Sequence, residues 1–267
     1  MEKKQIGLII VKGIPESFLT SHSSKFFALN SMISKGNVTK LLRRKDADFL
    51  ISILGLARVE ATTKPVEQTN LEDLYYNVNI NSEYKNLFNG MNPFILTNDS
   101  QSTKFFNKYK ITNKLTELTP KTFEALEIKD YSPLIVYLNC EQLEPESALT
   151  LLDDLIQYFS SASRLYTILY PFKSSLQNIT PPDISPYVSM VRPEQTYNFY
   201  KSDKITDICE EEVAIAIEQG NDCRMDKVQS LNDIFSNTQA PGGLWMLAEQ
   251  FMRQIAFYLS YIGKFGA

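Results

Sequence analysis

The chain has 267 residues, of which 43% are hydrophobic and 22% are charged, and this balance excludes wholesale disorder. The formal charge of −4 argues against a dedicated nucleic-acid-binding protein, because such proteins usually carry a basic excess. The three cysteines, Cys140, Cys209 and Cys223, form no CxxC pair. They therefore indicate neither a disulfide framework nor a cysteine-rich zinc site, and we expect a reducing, cytoplasmic location.

The first half of the chain alternates strand and helix patterns. Gln5 to Val11 is apolar and predicts a buried strand. Phe26 to Leu56 has a mostly helical pattern, broken near residues 35–37, and Tyr75 to Ile80 alternates as a half-exposed strand does. Pro93 to Thr97 predicts a short strand. The Asn-Asp-Ser cluster that follows it at residues 98–100 is typical of a helix N-cap.

The second half contains the strongest pattern in the sequence. Leu134 to Leu138 predicts a buried strand, Glu146 to Phe159 an amphipathic helix and Leu165 to Tyr170 a second strand, a spacing that indicates a βαβ crossover. Ile205 to Glu218 and Leu244 to Ile262 are predicted helices. The last one carries polar residues near its centre, so we expect an amphipathic helix and no membrane span.

These elements predict an α/β fold. We expect a mixed sheet with flanking helices, a βαβ-like central unit and a helical C-terminal segment. The coarse division is an N-terminal strand and helical region at residues 1–70, followed by an α/β body at residues 71–267. A single domain remains the alternative, because the boundary rests only on the loop-like composition of residues 61–70.

Residues suited to catalysis are few. His22 is the single histidine, and no orienting partner stands near it in the sequence. Cys140 follows the strand Leu134 to Leu138, at the strand end where open α/β sheets place ligands, so it is the best nucleophile candidate. Its neighbours supply no base or cation, which favours a buried structural cysteine. We therefore expect no catalytic residue, no metal and no cofactor.

Two charged segments of opposite sign stand out. Lys40, Arg43, Arg44 and Lys45 form a basic cluster that would lie on one helix face, suited to nucleic acid, acidic lipid or an acidic neighbouring subunit. An ordinary solvated face is the simpler interpretation. Glu210 and Glu211 belong to an acidic run, and two complementary patches on one chain are what a self-assembling subunit would use.

Three segments, Asn92 to Phe106, Leu152 to Phe172 and Ile205 to Cys223, together resemble the contractile tail sheath family of phages and related injection machines. The first is similar to a sheath strand followed by a short helix, the second to a helix and strand that end in an aromatic-Pro step. The third is similar to a late helix that ends in a Gly/Asn turn. The chain is short for this family, and Asn107 stands where the family has glycine.

The resemblance implies a structural subunit, either of the sheath itself or of a sheath-like adaptor or terminator. Such subunits stack as homo-oligomeric rings around an inner tube, with baseplate proteins as further partners and without nucleic acid or membrane. The particle would be a virion tail or an injection machine. The N-terminal strand would then add to sheets of neighbouring subunits. The expected interface residues are Ile6, Leu8, Ile10, Lys40, Arg43, Arg44, Glu210, Glu211 and Arg253.

Two alternatives remain open. One is another non-enzymatic protein, such as a secretion adaptor or a chaperone. The other is an α/β enzyme that uses Cys140 or two carboxylates that are distant in the sequence.

Overall fold

The computed structural model describes most of the predicted elements, and its ranges are residues 6–22, 25–45, 47–56, 84–119, 133–160, 164–173, 199–200, 203–204, 208–219 and 244–263. The predicted strand Tyr75 to Ile80 and Cys223 lie outside these ranges.

The strands form one eight-stranded sheet and one two-stranded sheet. Their bounds are β1 Ile6–Lys12, β2 Asn37–Arg44, β3 Phe94–Thr97, β4 Thr112–Leu115, β5 Leu134–Asn139, β6 Arg164–Lys173, β7 Phe199–Tyr200, β8 Asp203–Lys204, β9 Ile208–Glu218 and β10 Leu244–Leu247. The large sheet has the order β10-β2-β9-β6-β1-β5-β3-β4, and β7 pairs with β8. In the large sheet β9 runs antiparallel to both of its neighbours, and every other pairing is parallel.

Helices cover both faces of the large sheet. Their bounds are α1 Glu16–His22, α2 Phe27–Lys35, α3 Phe49–Ile53, α4 Tyr84–Leu87, α5 Ser100–Lys108, α6 Pro145–Phe159 and α7 Ala248–Tyr258. The apolar residues of α1, α2 and α6 share one core with the first face of the sheet, and those of α3, α4, α5 and α7 share a second core with the other face. Within β1, Ile9 and Val11 belong to the first core, while Leu8 and Ile10 belong to the second.

The helical connections that follow β3 and β5 leave the large sheet on opposite faces. The connection from β5 to β6 runs through α6 on the first face, whereas the connection from β3 to β4 runs through α5 on the second face. Helices that leave two adjacent parallel strands on opposite faces open a crevice at the carboxyl ends of those strands. The sheet therefore has a topological switch point at the ends of β3 and β5.

The predicted fold class is confirmed. The chain forms an α/β fold with a mixed sheet, flanking helices and a βαβ unit made by β5, α6 and β6, in which β1 lies between the two strands. The C-terminal helix is present as α7, although its first predicted turn is strand β10.

Two predicted helices are strands. Ile205 to Glu218 contains β9, which inserts between β2 and β6 and buries Val213, Ile215 and Ile217 in the first core. The basic cluster lies on β2 and not on a helix, so neighbouring side chains point to opposite faces instead of sharing one. Tertiary pairing on both edges outweighs local helix propensity in these segments.

The N-terminal strand lies at the centre of the large sheet. β1 pairs with β5 along one edge and with β6 along the other, and Ile6, Leu8 and Ile10 are at most 1% exposed. A strand with both edges paired inside its own chain has no edge left for a neighbouring subunit, contrary to the expected intersubunit role. Among the described helices, none combines the length and the apolar character that a membrane crossing requires.

Candidate functional site

Polar side chains gather where the parallel strands end. Lys12 ends β1, Tyr137 lies near the end of β5, and Tyr170 lies near the end of β6. The loops after β2, β3 and β5 bring the carboxylates of Asp48, Asp99 and Glu141 to the same edge. We call this group the carboxyl-edge cluster, and its members are Lys12, Asp48, Asp99, Tyr137, Glu141 and Tyr170.

The most accessible contact of the cluster is an ion pair. Lys12 Nζ lies 3.1 Å from Glu141 Oε1, with side chains that are 32% and 51% exposed. Burial lowers the pKa of Lys12, but the hydrogen bond with Glu141 and the nearby carboxylates outweigh it and leave the pKa above its ordinary value. The ammonium group is therefore charged at neutral pH.

Two tyrosines lie beneath this ion pair. The Tyr170 hydroxyl lies 3.5 Å from the Tyr137 hydroxyl, and both residues are 3% exposed. Burial raises the pKa of Tyr137 and raises the pKa of Tyr170 well above its ordinary value. Both phenols are therefore neutral at physiological pH and can donate hydrogen bonds.

The end of β3 is joined to the end of β5 by an asparagine. Asn98 Nδ2 donates to the Asn139 carbonyl at 2.8 Å, and the Asn139 N–H donates to Asn98 Oδ1 at 2.8 Å. This amide pair continues the hydrogen bonding of the two strands by one further step and fixes the two loops at the switch point. Asn139 Oδ1 also accepts from the Glu141 N–H at 3.1 Å, which orients the loop that carries the ion pair.

Asp99 caps α5 beside this asparagine pair. Its carboxylate accepts from the Gln101 N–H at 3.0 Å and from the Ser102 hydroxyl at 2.5 Å. Burial raises the pKa of Asp99, but these hydrogen bonds and one to Asn139 outweigh it and hold the pKa below its ordinary value. Asp48 has the same role at α3, where Asp48 Oδ1 accepts from the Leu50 N–H at 2.7 Å.

Cys140 is adjacent to the cluster but is buried. It is 4% exposed, and burial raises the pKa of its thiol to about 12. A thiol in this state is a poor nucleophile at neutral pH. The enzyme alternative that rested on Cys140 therefore has no chemical support. In the described part of the chain, no cluster of three or more His, Cys, Asp or Glu residues could hold a metal ion.

The predicted basic patch is divided by the strand geometry of β2. Arg43 forms an ion pair with Glu212 at 2.9 Å, lies 5.4 Å from the Phe49 ring centroid and donates to the Ala47 carbonyl. It thus supports the turn between β2 and α3. Lys40 and Arg44 lie an even number of residues apart on β2 and an odd number from Arg43, so they point to the face opposite to that of Arg43. Burial lowers the pKa of Lys40.

The remaining expected interface residues lie apart from one another. Glu210 and Glu211 lie in β9, at the point where its register with β2 shifts. Arg253 is exposed on α7. Neither the acidic residues nor Arg253 belongs to the carboxyl-edge cluster.

The opposite end of the sheet holds a second polar group. Arg164 forms an ion pair with Glu218 at 2.9 Å and lies 3.9 Å from the Tyr258 ring centroid. The Tyr166 hydroxyl also donates to Glu218 at 3.0 Å. These contacts join β6, β9 and α7, which gives them a structural role.

No family model matches the chain, and no curated protein matches it. Among solved structures, the PH0037 protein from Pyrococcus horikoshii is similar with a TM-score of 0.50 and 9% identity, over 99% of this chain and 100% of that one. The C-terminal periplasmic domain of the phosphoethanolamine transferase EptC from Campylobacter jejuni has a TM-score of 0.43 and 12% identity, over 97% and 90%. A protein in the alkaline phosphatase superfamily from Vibrio parahaemolyticus has a TM-score of 0.41 and 11% identity, over 85% and 64%.

These findings contradict the tail sheath interpretation. No sheath family model matches the chain, and the segment compared with the late sheath helix is strand β9. The sheath function and its virion context are therefore wrong for this chain, whereas the expected homo-oligomer and its partners stay predictions. The adaptor and chaperone alternatives receive no support either. The similarity to PH0037 shows a shared fold.

Proposed function

We propose that the chain binds a small polar molecule at the carboxyl edge of the large sheet, over the ends of β1, β3 and β5. The carboxyl-edge cluster carries this proposal, because it presents an ammonium group and carboxylates above two buried phenols. Open α/β sheets bind ligands at the carboxyl ends of strands beside a switch point. A few polar groups that converge there are typical of a site that orients a ligand.

The dimensions favour a small molecule over a macromolecule. Neighbouring strands lie about 4.8 Å apart, so the ends of β1, β5 and β3 together span about 10 Å. Strand ends separated by this distance match a compound the size of a sugar or an amino acid. The groups available for contact are hydrogen-bond donors and charges, which favours a hydrophilic compound.

Binding can be located directly by NMR. A ¹⁵N-labelled sample would be titrated with a panel of amino acids, sugars, nucleotides and carboxylic acids while the amide signals are followed. We expect shifts at Gly13, Asp99 and Glu141, and no shifts at Arg164 or Glu218 at the opposite end. Proton spectra of the compounds recorded over time would separate a binding protein from an enzyme, since an enzyme changes the compound.

A pair of matched variants tests the phenols. Tyr137→Phe removes one hydroxyl from the cluster, whereas Tyr166→Phe removes a hydroxyl that is equally buried but lies at the opposite end. We expect the first to weaken ligand binding by about 2- to 10-fold, the value of one hydrogen bond, and the second to leave it unchanged. Binding to no panel compound, or shifts centred on Arg164, would refute the proposal.

A further inference from the structure

In the ion pair of the cluster, the Lys12 ammonium binds a carboxylate of its own chain. Glu141 provides the carboxylate that lies within 4 Å of the Lys12 ammonium among the described residues. Both side chains are partly exposed, and exposed ion pairs contribute little to stability. A carboxylate from another molecule could therefore replace that of Glu141 at small cost.

A glycine makes this contact possible. Gly13 directly follows Lys12 and has a φ of 87°, and a Cβ atom at this position would lie 2.6 Å from the Cγ atom of Glu141. The glutamate side chain thus crosses the turn after β1 in space that only glycine leaves open. The backbone fixes the loop further, because the Cys140 N–H donates to the Lys12 carbonyl at 2.8 Å.

The other two carboxylates of the cluster are already in use. Asp48 accepts from the first turn of α3, and Asp99 accepts from the first turn of α5 and from Ser102. The Glu141 carboxylate caps no helix among the described residues, and its contact there is the ion pair with Lys12. It is the carboxylate of the cluster whose displacement would break no helix cap.

We infer that Lys12 is the anchor for a carboxylate group of the ligand, and that Glu141 occupies this position in its absence. This inference rests on the proposed function and adds the ligand class to it. Glu141 acts as an internal competitor, and its side chain turns towards solvent when the ligand's carboxylate contacts Lys12. The site thereby selects against compounds that cannot displace Glu141.

Acetate is the probe that tests this inference, since it reproduces the glutamate carboxylate. It would be titrated at constant ionic strength into the wild-type chain and into Glu141→Ala, with the amide signals of Gly13 and residue 141 as the readout. The matched control is Glu146→Ala, because Glu146 forms a similar but more exposed pair with Lys25 at 3.4 Å. A double variant, Glu141→Ala with Lys12→Gln, removes the anchor as well.

We expect Glu141→Ala to bind acetate about 2- to 5-fold more tightly than the wild type, which corresponds to the loss of one exposed ion pair as competitor. Glu146→Ala should bind like the wild type, and the double variant should lose the gain. Equal acetate affinity in Glu141→Ala and Glu146→Ala would overturn the inference, even if a panel compound binds at this edge. Absence of shifts at this edge with every panel compound and with acetate would refute the proposed function and the inference with it.

Discussion

Replacing Phe251 with alanine tests whether α7 is part of the protein core. Phe251 is 3% exposed, and its ring lies edge-to-face with Tyr166 at a centroid distance of 5.4 Å. Removing a buried phenylalanine costs about 3–5 kcal/mol in free energy of unfolding, because the lost transfer energy adds to that of the cavity left behind. The small Ala214 and Ala216 side chains in the same core cannot fill that cavity.

The assay is urea unfolding followed by circular dichroism. With an m-value of about 3 kcal/mol per molar urea, the transition midpoint should fall by about 1–1.7 M. The control is Phe257→Ala on the same helix, since Phe257 is 36% exposed and its loss should cost below about 1 kcal/mol. Equal midpoints for the two variants would show that α7 does not pack on the sheet as described.

Three further predictions concern single side chains. Asp153 Oδ1 accepts from the Leu29 N–H at 2.8 Å and so caps α2 from α6, and Asp153→Ala should cost about 0.5–2 kcal/mol by urea unfolding while exposed Asp154→Ala costs little. Hydrogen bonds hold the pKa of Asp99 below its ordinary value, so its contribution to stability is present above about pH 4 and is lost as the pH falls through the folded-state pKa. Asp99→Asn should therefore be less stable than wild type at pH 6, and a difference that does not shrink at pH 3 would contradict this assignment. The pKa of Cys140 is raised to about 12, so iodoacetamide at pH 8 should label it slowly in the native chain and rapidly in urea, as peptide mass spectrometry would show.

The buried strands were predictable because they carry a simple signal. β1, β5 and β6 are covered by helices on both faces, so each appears as a continuous apolar run. The amphipathic pattern of α6 has an equally direct cause, since Leu149, Leu152 and Ile156 line its buried face. These elements alone fix the βαβ unit and hence the α/β class.

β9 was not predictable in the same way, although its sequence alternates. Val213, Ile215 and Ile217 face the first core, while Ala214 and Ala216 face the second, where small side chains leave room for α7. Alanine on one face weakens the period-two signal and raises helix propensity, so the local pattern resembles a helix. Only pairing with β2 and β6, which are distant in the sequence, decides the outcome.

The candidate site was only partly predictable, because the sequence shows its polar residues but does not show that they lie close together. Lys12 and Asn98 each follow closely on the apolar run of a predicted strand, and that position is a usable signal in a parallel sheet. The sequence does not reveal the strand order, which places β1 beside β5 and β5 beside β3. That order brings Glu141 into contact with Lys12, and the close approach of the Glu141 side chain explains why the turn after β1 contains Gly13. Cys140, the nucleophile candidate of the sequence, lies beside these residues, but burial raises the pKa of its thiol to about 12. In this sheet the polar residues just after the apolar strands therefore indicate the candidate site, to which the most reactive residue type does not belong.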